Sequence, residues 1–318
     1  VTASLTSTPC LGIDGAIQSY QWQHKGKPIT IVYEVLGMGK PILLLPALSS
    51  ISTRAEMREL AEYLAAQYQV FAVDWVGFGE SDRPNVAYTP ALYQAFLRDF
   101  VRSVFQEPVV VIAAGHAAGY VMELAQRQAS PWSWVVLLAP TWRGPLPTAM
   151  GEHRWGYKLL QQLINTPILG QMLYLFNTSP LFLRFMIGRH VFVDGQKITR
   201  SLMQQKHRTT QKRRARFASA AFVTGALDPI KTQEQWLNWF QPSPPVPVLV
   251  VIGEQMPPKS RAEVEILAHF CAVQVYRMPG ALGLHEENPK ILAAGILPFL
   301  QKYLSSKGQA SSSDSTKM

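Results

Sequence analysis

The chain of 318 residues is 47% hydrophobic and carries 30 Lys and Arg against 21 Asp and Glu, a formal net charge of +9. This composition excludes an extended disordered chain and permits a core of domain size. The two cysteines, Cys10 and Cys271, are too few and too far apart for a disulfide framework or a cysteine metal site, so a reducing, cytoplasmic setting is expected.

Residues 1–15 lack an apolar h-region and read as an N-terminal extension, with neither signal peptide nor signal anchor. "AIQSYQWQHKGKPITIVYEVLG" predicts two strands joined at "KGK", and "PILLLPAL" is a continuous apolar run suited to a buried strand. The helix "RAEMRELAEYLAAQ" follows, then the strand and glycine-rich loop of "YQVFAVDWVGFGESDRP". Next come helix "TPALYQAFLRDFVRSVF", strand "PVVVIAAG", helix "AAGYVMELAQRQ" and strand "WSWVVLLAP". Strict alternation of strand and helix through residues 16–140 argues for a mostly parallel sheet covered on both faces. Residues 141–240 break the rhythm with helical, aromatic and basic material, which reads as a helical lid. The alternation resumes over residues 241–304 with "VPVLVVIGEQ", "KSRAEVEILAHF", "AVQVYRMPG" and "PKILAAGILPFLQKYL". The small polar stretch 305–318 reads as a disordered tail.

The basic excess is local. Ten Lys and Arg fall between Arg184 and Arg216 against one acid, Asp194. Just upstream, residues 164–183 carry no formal charge, yet Pro167, Asn177, Ser179 and Pro180 break them into pieces too short to span a bilayer. An apolar stretch beside a basic run suits a segment at a membrane interface, with Phe182 and Phe185 entering the lipid and Arg184, Arg189, Arg213 and Arg214 meeting anionic headgroups. The ordinary alternative is a lid helix packed over a pocket with its charges in water. Nucleic acid ranks lower as a partner, because no recognition module accompanies the charge.

Four landmarks carry a resemblance: "LLLPALSS" after the third strand, "VDWVGFGESDRP" after the fourth, "GHAAG" at a strand-to-helix elbow and "PGALGLHEENP" near the C-terminus. In this order the chain resembles the α/β-hydrolase superfamily, and in lid position its epoxide-hydrolase, dehalogenase and pheophytinase-like branch, including plastid and cyanobacterial members. The resemblance implies an α/β-hydrolase fold, no cofactor, no metal, and a Ser-His-Asp site under the lid. It also implies a plastid or thylakoid type of membrane contact if the localisation carries over.

The implied triad positions hold none of the required groups. The nucleophile belongs at the centre of G-x-S-x-G, where this chain has Ala117 between Gly115 and Gly119. The acid position holds Met256, and the base position, seven residues before Pro289, holds Leu282. The implied oxyanion loop reads Pro46, Ala47 and Leu48, with Ala118 after the nucleophile position, and Pro46 has no amide hydrogen to donate. His285 matches a second histidine of relatives, at a pocket mouth or in a structural role. His116 sits at the variable elbow position, and His190 could line the lid pocket. Asp228 suits a turn or cap, and Asp74, Gly77, Gly79, Ser81 and Asp82 shape the family loop.

Three readings follow. The leading one is a non-catalytic hydrolase fold that binds an apolar or amphiphilic small molecule or acts as a scaffold at a membrane, with Ala117, Met256 and Leu282 forming an apolar floor. Simple core packing of the same trio is the plainer account. The second is a serine-type ester or C–X hydrolase whose nucleophile has been replaced by Ala117. The third is a protein-interaction module that uses the lid surface.

Overall fold

The computed structural model describes residues 11–150, 156, 164, 166 and 168–312, with side chains through Lys302. Eight strands form one sheet: β1 (Ala16–His24), β2 (Lys27–Leu36), β3 (Lys40–Leu45), β4 (Tyr68–Val73), β5 (Val109–Ala114), β6 (Trp132–Leu138), β7 (Val248–Gly253) and β8 (Val273–Met278). Their spatial order is β1-β2-β4-β3-β5-β6-β7-β8. β2 pairs antiparallel with β1 and β4, and every pairing from β4 through β3 to β8 is parallel.

The burial of each strand follows from its place in that order. Every residue of β5 and β7 is buried, as continuous apolar runs require when helices cover both faces. β1, at the edge, buries only Trp22, whose indole N–H donates to Asp99. The predicted hairpin forms over Lys25 and Gly26, both at positive φ.

Helix Pro90–Val104 starts where Thr89 accepts the Leu92 N–H and Pro90 occupies the first turn. It buries Leu92, Tyr93, Phe96, Leu97, Phe100 and Val101, one face at helical spacing. Phe96 and Tyr93 meet Trp75 edge-on, and Tyr93 also meets Tyr120 of helix Ala117–Ala125. This aromatic layer packs the two helices that frame the elbow.

Two predicted elements differ in extent. The helix expected from Arg54 begins as a 3-10 turn, Arg54–Met57, before the α-helix Arg58–Ala65. The last helix runs Pro289–Ser312, through the first part of the stretch expected to be a disordered tail. Extending a formed helix adds one hydrogen bond per residue and needs no new nucleus, so polar residues can continue it. Residues 313–318 lie outside the described residues, as do Cys10 and most of the predicted N-terminal extension. Cys271 is exposed.

Between β6 and β7 the chain forms a helical insertion that includes Leu169–Asn177, Pro180–Met186, Arg200–Thr210 and Ala215–Val223. It has a small apolar centre of its own, Leu183, Ile187, Phe192, Ile198 and Met203, against which Ile51 of the loop after β3 packs. No helix among the described residues is long and apolar enough to cross a membrane.

Candidate functional site

The elbow after β5 carries the implied nucleophile position. The left-handed residue of this turn is Gly115, at φ +51°. His116 is already in the right-handed region (φ −69°, ψ −18°), and Ala117 is the first residue of the helix. A Cβ at Gly115 would lie 3.4 Å from the Cβ of Ala47 and meet nothing else within 4 Å, so it would point toward the loop after β3. The second glycine serves packing. A Cβ at Gly119 would stand 2.6 Å from Pro229 Cγ, which fixes how closely the helix approaches the chain leaving the insertion.

The other two triad positions lie on neighbouring loops. Gln255 N–H donates to the Gly280 carbonyl (3.0 Å), and Gly280 N–H returns a bond to the Gln255 side chain (2.6 Å). Met256 and Ala117 are buried in the main apolar core, and Leu282 packs against it. Leu282 N–H donates to the His190 carbonyl (3.3 Å) and Gly283 N–H to the Val191 carbonyl (2.9 Å), so the insertion straps this loop down. Glu287 completes the strap by accepting the Val193 and Asp194 amides at 2.8 and 2.7 Å. His190 is half-buried, and burial together with nearby Arg189 lowers its pKa.

At the implied oxyanion loop, the amides of Ala47 and Ala118 are already engaged. Ala47 N–H donates to Glu56 Oε1 at 2.7 Å, and Ala118 N–H donates to the Gly115 carbonyl at 3.2 Å. Leu48 is fully buried, and the Pro46 carbonyl accepts the Trp75 indole N–H at 2.8 Å.

Glu56 belongs to a buried ionic cluster that the sequence reading did not anticipate. His285 Nε2 stands 3.2 Å from Glu56 Oε1, and Lys206 Nζ lies 2.8 Å from Glu286 Oε2 and 3.9 Å from Glu56 Oε2. Burial acts to raise the pKa of Glu56, but His285, Lys206 and the Ala47 amide together hold it below the usual carboxylate range. Burial acts to lower the pKa of Lys206, and Glu286 and Glu56 overcome it and raise it. Neither ring nitrogen of His285 is aligned for a hydrogen bond with any described residue, so no hydroxyl or thiol among them is positioned to pass it a proton.

A second buried network surrounds Arg54, which is fully buried and pairs with Glu34, Asp74 and Glu80. Burial opposes its charge, yet Asp74, Glu80 and Glu34 raise its pKa. The family loop is built on the same acid. Asp74 also accepts the Arg54 amide (2.8 Å) and the Glu80 amide (2.9 Å), and a Cβ at Gly79 would overlap the Asp74 carboxyl. Ser81 Oγ donates to the Asp74 carbonyl, and Asp82 accepts the Thr30 amide.

His116 is buried, with Nε2 3.1 Å from the Leu227 carbonyl and 3.5 Å from Asp228 Oδ1. Asp228 accepts the Gly144 amide at 2.8 Å and so ties the start of the insertion to its end. Among the remaining residues singled out from the sequence, Arg184, Phe185, Arg189, Arg213 and Arg214 are exposed, and Phe182 is half-buried. A cavity of about 280 Å³ is lined by the insertion, a second of about 250 Å³ lies where Arg208, Thr209 and Lys212 of the insertion meet Leu11, Thr53, Gly79 and Glu80, and neither is lined by Ala117, Met256 or Leu282. No cluster of three metal-ligating side chains forms among the described residues.

Comparison with known proteins accords with this architecture. The sequence model of the Alpha/beta hydrolase family matches residues 42–294. An uncharacterized protein of Mycobacterium tuberculosis is 29% identical over 93 residues, 29% of this chain and 27% of that protein, so the chain spans about a quarter of the length of the curated relatives it matches. Among solved structures, a hydrolase from Pseudomonas aeruginosa superposes with a TM-score of 0.68 at 15% identity, covering 90% of this chain and 99% of that one. The haloalkane dehalogenase DatA from Agrobacterium tumefaciens superposes with a TM-score of 0.67 at 18% identity, covering 91% and 97%. At these identities the structural likeness concerns the fold.

Proposed function

The chain belongs to the alpha/beta hydrolase family, and on that premise we propose that it is a non-catalytic member, a binding protein whose working surface is the helical insertion acting as a lid. The observation that carries this reading is the state of the elbow. Whether the nucleophile position is set by sequence at Ala117 or by backbone at the left-handed Gly115, the side chain there is a methyl group or a hydrogen. Neither can attack a carbonyl.

The surroundings support the same conclusion. The acid and base positions, Met256 and Leu282, are part of the apolar packing. The Ala47 amide is held by a carboxylate, and a negative charge beside the loop that should stabilise an oxyanion opposes that role. A protein with only its nucleophile replaced would keep the other two groups, and this chain keeps neither. The 280 Å³ cavity is lined entirely by the insertion, which supports amphiphile recognition there in preference to the apolar floor. The position of the insertion between β6 and β7 is the basis for placing the chain near the epoxide-hydrolase and dehalogenase branch.

The test is hydrolysis of p-nitrophenyl esters of short and medium chain length. The unmodified protein is expected to show no turnover above the buffer rate, because loss of a triad nucleophile costs on the order of a million-fold. Two triple variants locate the dormant site. One combines Met256→Asp and Leu282→His with Gly115→Ser, the other with Ala117→Ser, and the one that gains activity identifies the nucleophile position. Turnover by the unmodified protein, surviving repurification, would overturn the proposal.

A further inference from the structure

Helix Leu169–Asn177 is oriented against the usual rule for an amphipathic helix. Its buried positions are Gly170 and Tyr174, one turn apart, with the Tyr174 hydroxyl donating to the Thr210 carbonyl. Its larger apolar side chains face outward. Ile168, Met172 and Phe176 are 78%, 63% and 68% exposed and recur every four residues, so they line one face. The next helix, Pro180–Met186, buries Leu183 and exposes Leu181 (85%) and Phe185. The Phe176 and Phe182 rings lie 6.0 Å apart and join the two helices into one ridge.

A cationic wall adjoins the ridge. Gln171 and Tyr174, on the helix that carries the exposed stripe, line the 280 Å³ cavity together with Lys212, Arg213, Arg214 and Arg216. Arg216 donates to Gln171 Oε1 at 3.2 Å, which holds the wall against the ridge. Arg213 and Arg214 are exposed, and Arg214 is at positive φ (65°) immediately before helix Ala215–Val223.

We propose that this face docks on an anionic membrane, with the ridge of Met172, Phe176, Leu181 and Phe185 entering the boundary between headgroups and acyl chains while Arg213, Arg214 and Arg216 hold lipid phosphates. Charge complementarity selects the occupant. A second copy seated on the same face by two-fold symmetry would bring like arginines together. A soluble anion would satisfy the wall and leave the ridge in water, and a nucleic acid offers the ridge no hydrocarbon. An acidic bilayer supplies both halves. The proposal rests on the reading of this chain as a binding member of its family. The two can fail separately, because ester hydrolysis reports on the elbow and vesicle binding on the insertion.

The experiment is co-sedimentation of the full chain with phosphatidylcholine vesicles, with and without phosphatidylglycerol, at low and high salt. The unmodified protein is expected to pellet with the anionic vesicles only, and less at high salt. Arg213→Gln with Arg214→Gln should weaken partitioning about 5-fold for each charge removed. Met172→Ser with Phe176→Ser and Leu181→Ser should abolish pelleting even at low salt, while circular dichroism and thermal unfolding show the variant folded. These side chains are exposed, so the fold does not depend on them. Absence of pelleting by the unmodified protein would overturn the proposal. So would pelleting that survives the serine variant, which would mean adsorption by charge alone. A dimer in light scattering that the serine variant dissolves, without vesicle binding, would instead assign the ridge to a second copy.

Discussion

His116 gives the elbow a measurable dependence on pH. Its Nε2 faces the Leu227 carbonyl, which can only accept, so the neutral ring carries its hydrogen on Nε2 and leaves Nδ1 without a partner among the described residues. Burial pushes its pKa down from 6.5 to about 4, against a smaller opposing effect of the Leu227 bond. Between those two values the unfolded chain binds a proton that the folded chain refuses. Stability is therefore lost as pH falls through the window and changes no further from this group below about pH 4. At about 1.4 kcal/mol for each tenfold in proton affinity, the displacement corresponds to ~3 kcal/mol. Loss at this point loosens a defined contact, because Tyr120 also donates to the Leu227 carbonyl (2.5 Å) and Phe222 meets the His116 ring edge-on. His116→Gln keeps an N–H for Leu227 and cannot titrate. Urea unfolding of both proteins from about pH 7.5 to about pH 4 should show the unmodified protein losing ~3 kcal/mol more than the variant over that range. Parallel curves would refute the reasoning. So would a histidine resonance in the folded protein titrating at or above 6.5, because Asp228 at 3.5 Å would then hold the charged ring.

The two buried ionic clusters make further predictions. Arg54→Met leaves the charges of Glu34, Asp74 and Glu80 without their cation, and should cost about 3–5 kcal/mol by urea unfolding at neutral pH. A loss under ~1 kcal/mol would mean that water reaches these carboxylates. Lys206→Met removes the cation that helps hold Glu56 ionised while the burial that opposes ionisation remains. The lowered pKa of Glu56 contributes stability above its unfolded value that is lost as pH falls through the folded one, so the acid unfolding midpoint of the variant should move up. The raised pKa of Lys206 contributes stability below the ordinary value of 10.5 that is lost as pH rises through the folded one, and the variant should lack this alkaline loss. Acid and alkaline limbs that both coincide with those of the unmodified protein would refute the assignment.

The sheet was legible because burial on two faces leaves a plain mark. β3, β5, β6 and β7 are apolar runs bounded by turns, and covering helices follow from the alternation. Strand order was not written locally, since the antiparallel placement of β2 beside β4 depends on pairing across the chain. Buried charge was missed for two reasons. Arg54 and Glu56 lie in a stretch with helical spacing, where charges read as a solvent face, but the first turn is a 3-10 turn and all four of its residues are buried. Lys206 sits in a run that reads as solvated, although it shares the inward face with Met203 and Thr210, at positions three and four residues away. Only its distant partners, Glu286 and Glu56, make that burial tolerable.

The elbow shows the limit of motif reading most clearly. "AAGHAAG" supports two frames. One centres on Ala117 between Gly115 and Gly119, and the other centres on Gly115 with Ala113 and Ala117 as the small flanks. Composition cannot choose between them, because both supply small residues on either side of a central position. The backbone distinguishes them, since left-handed φ falls on the glycine, where it carries no steric penalty. An Ala in that conformation would strain the turn by roughly 1–3 kcal/mol without supplying a reactive group. Glycine at this position therefore avoids strain that a side-chain-bearing residue would place on the turn. The buried carboxylate of Glu56 accepts the Ala47 amide of the loop after β3 and stands 3.9 Å from Lys206 of the insertion, so one buried charge links the sheet to the insertion.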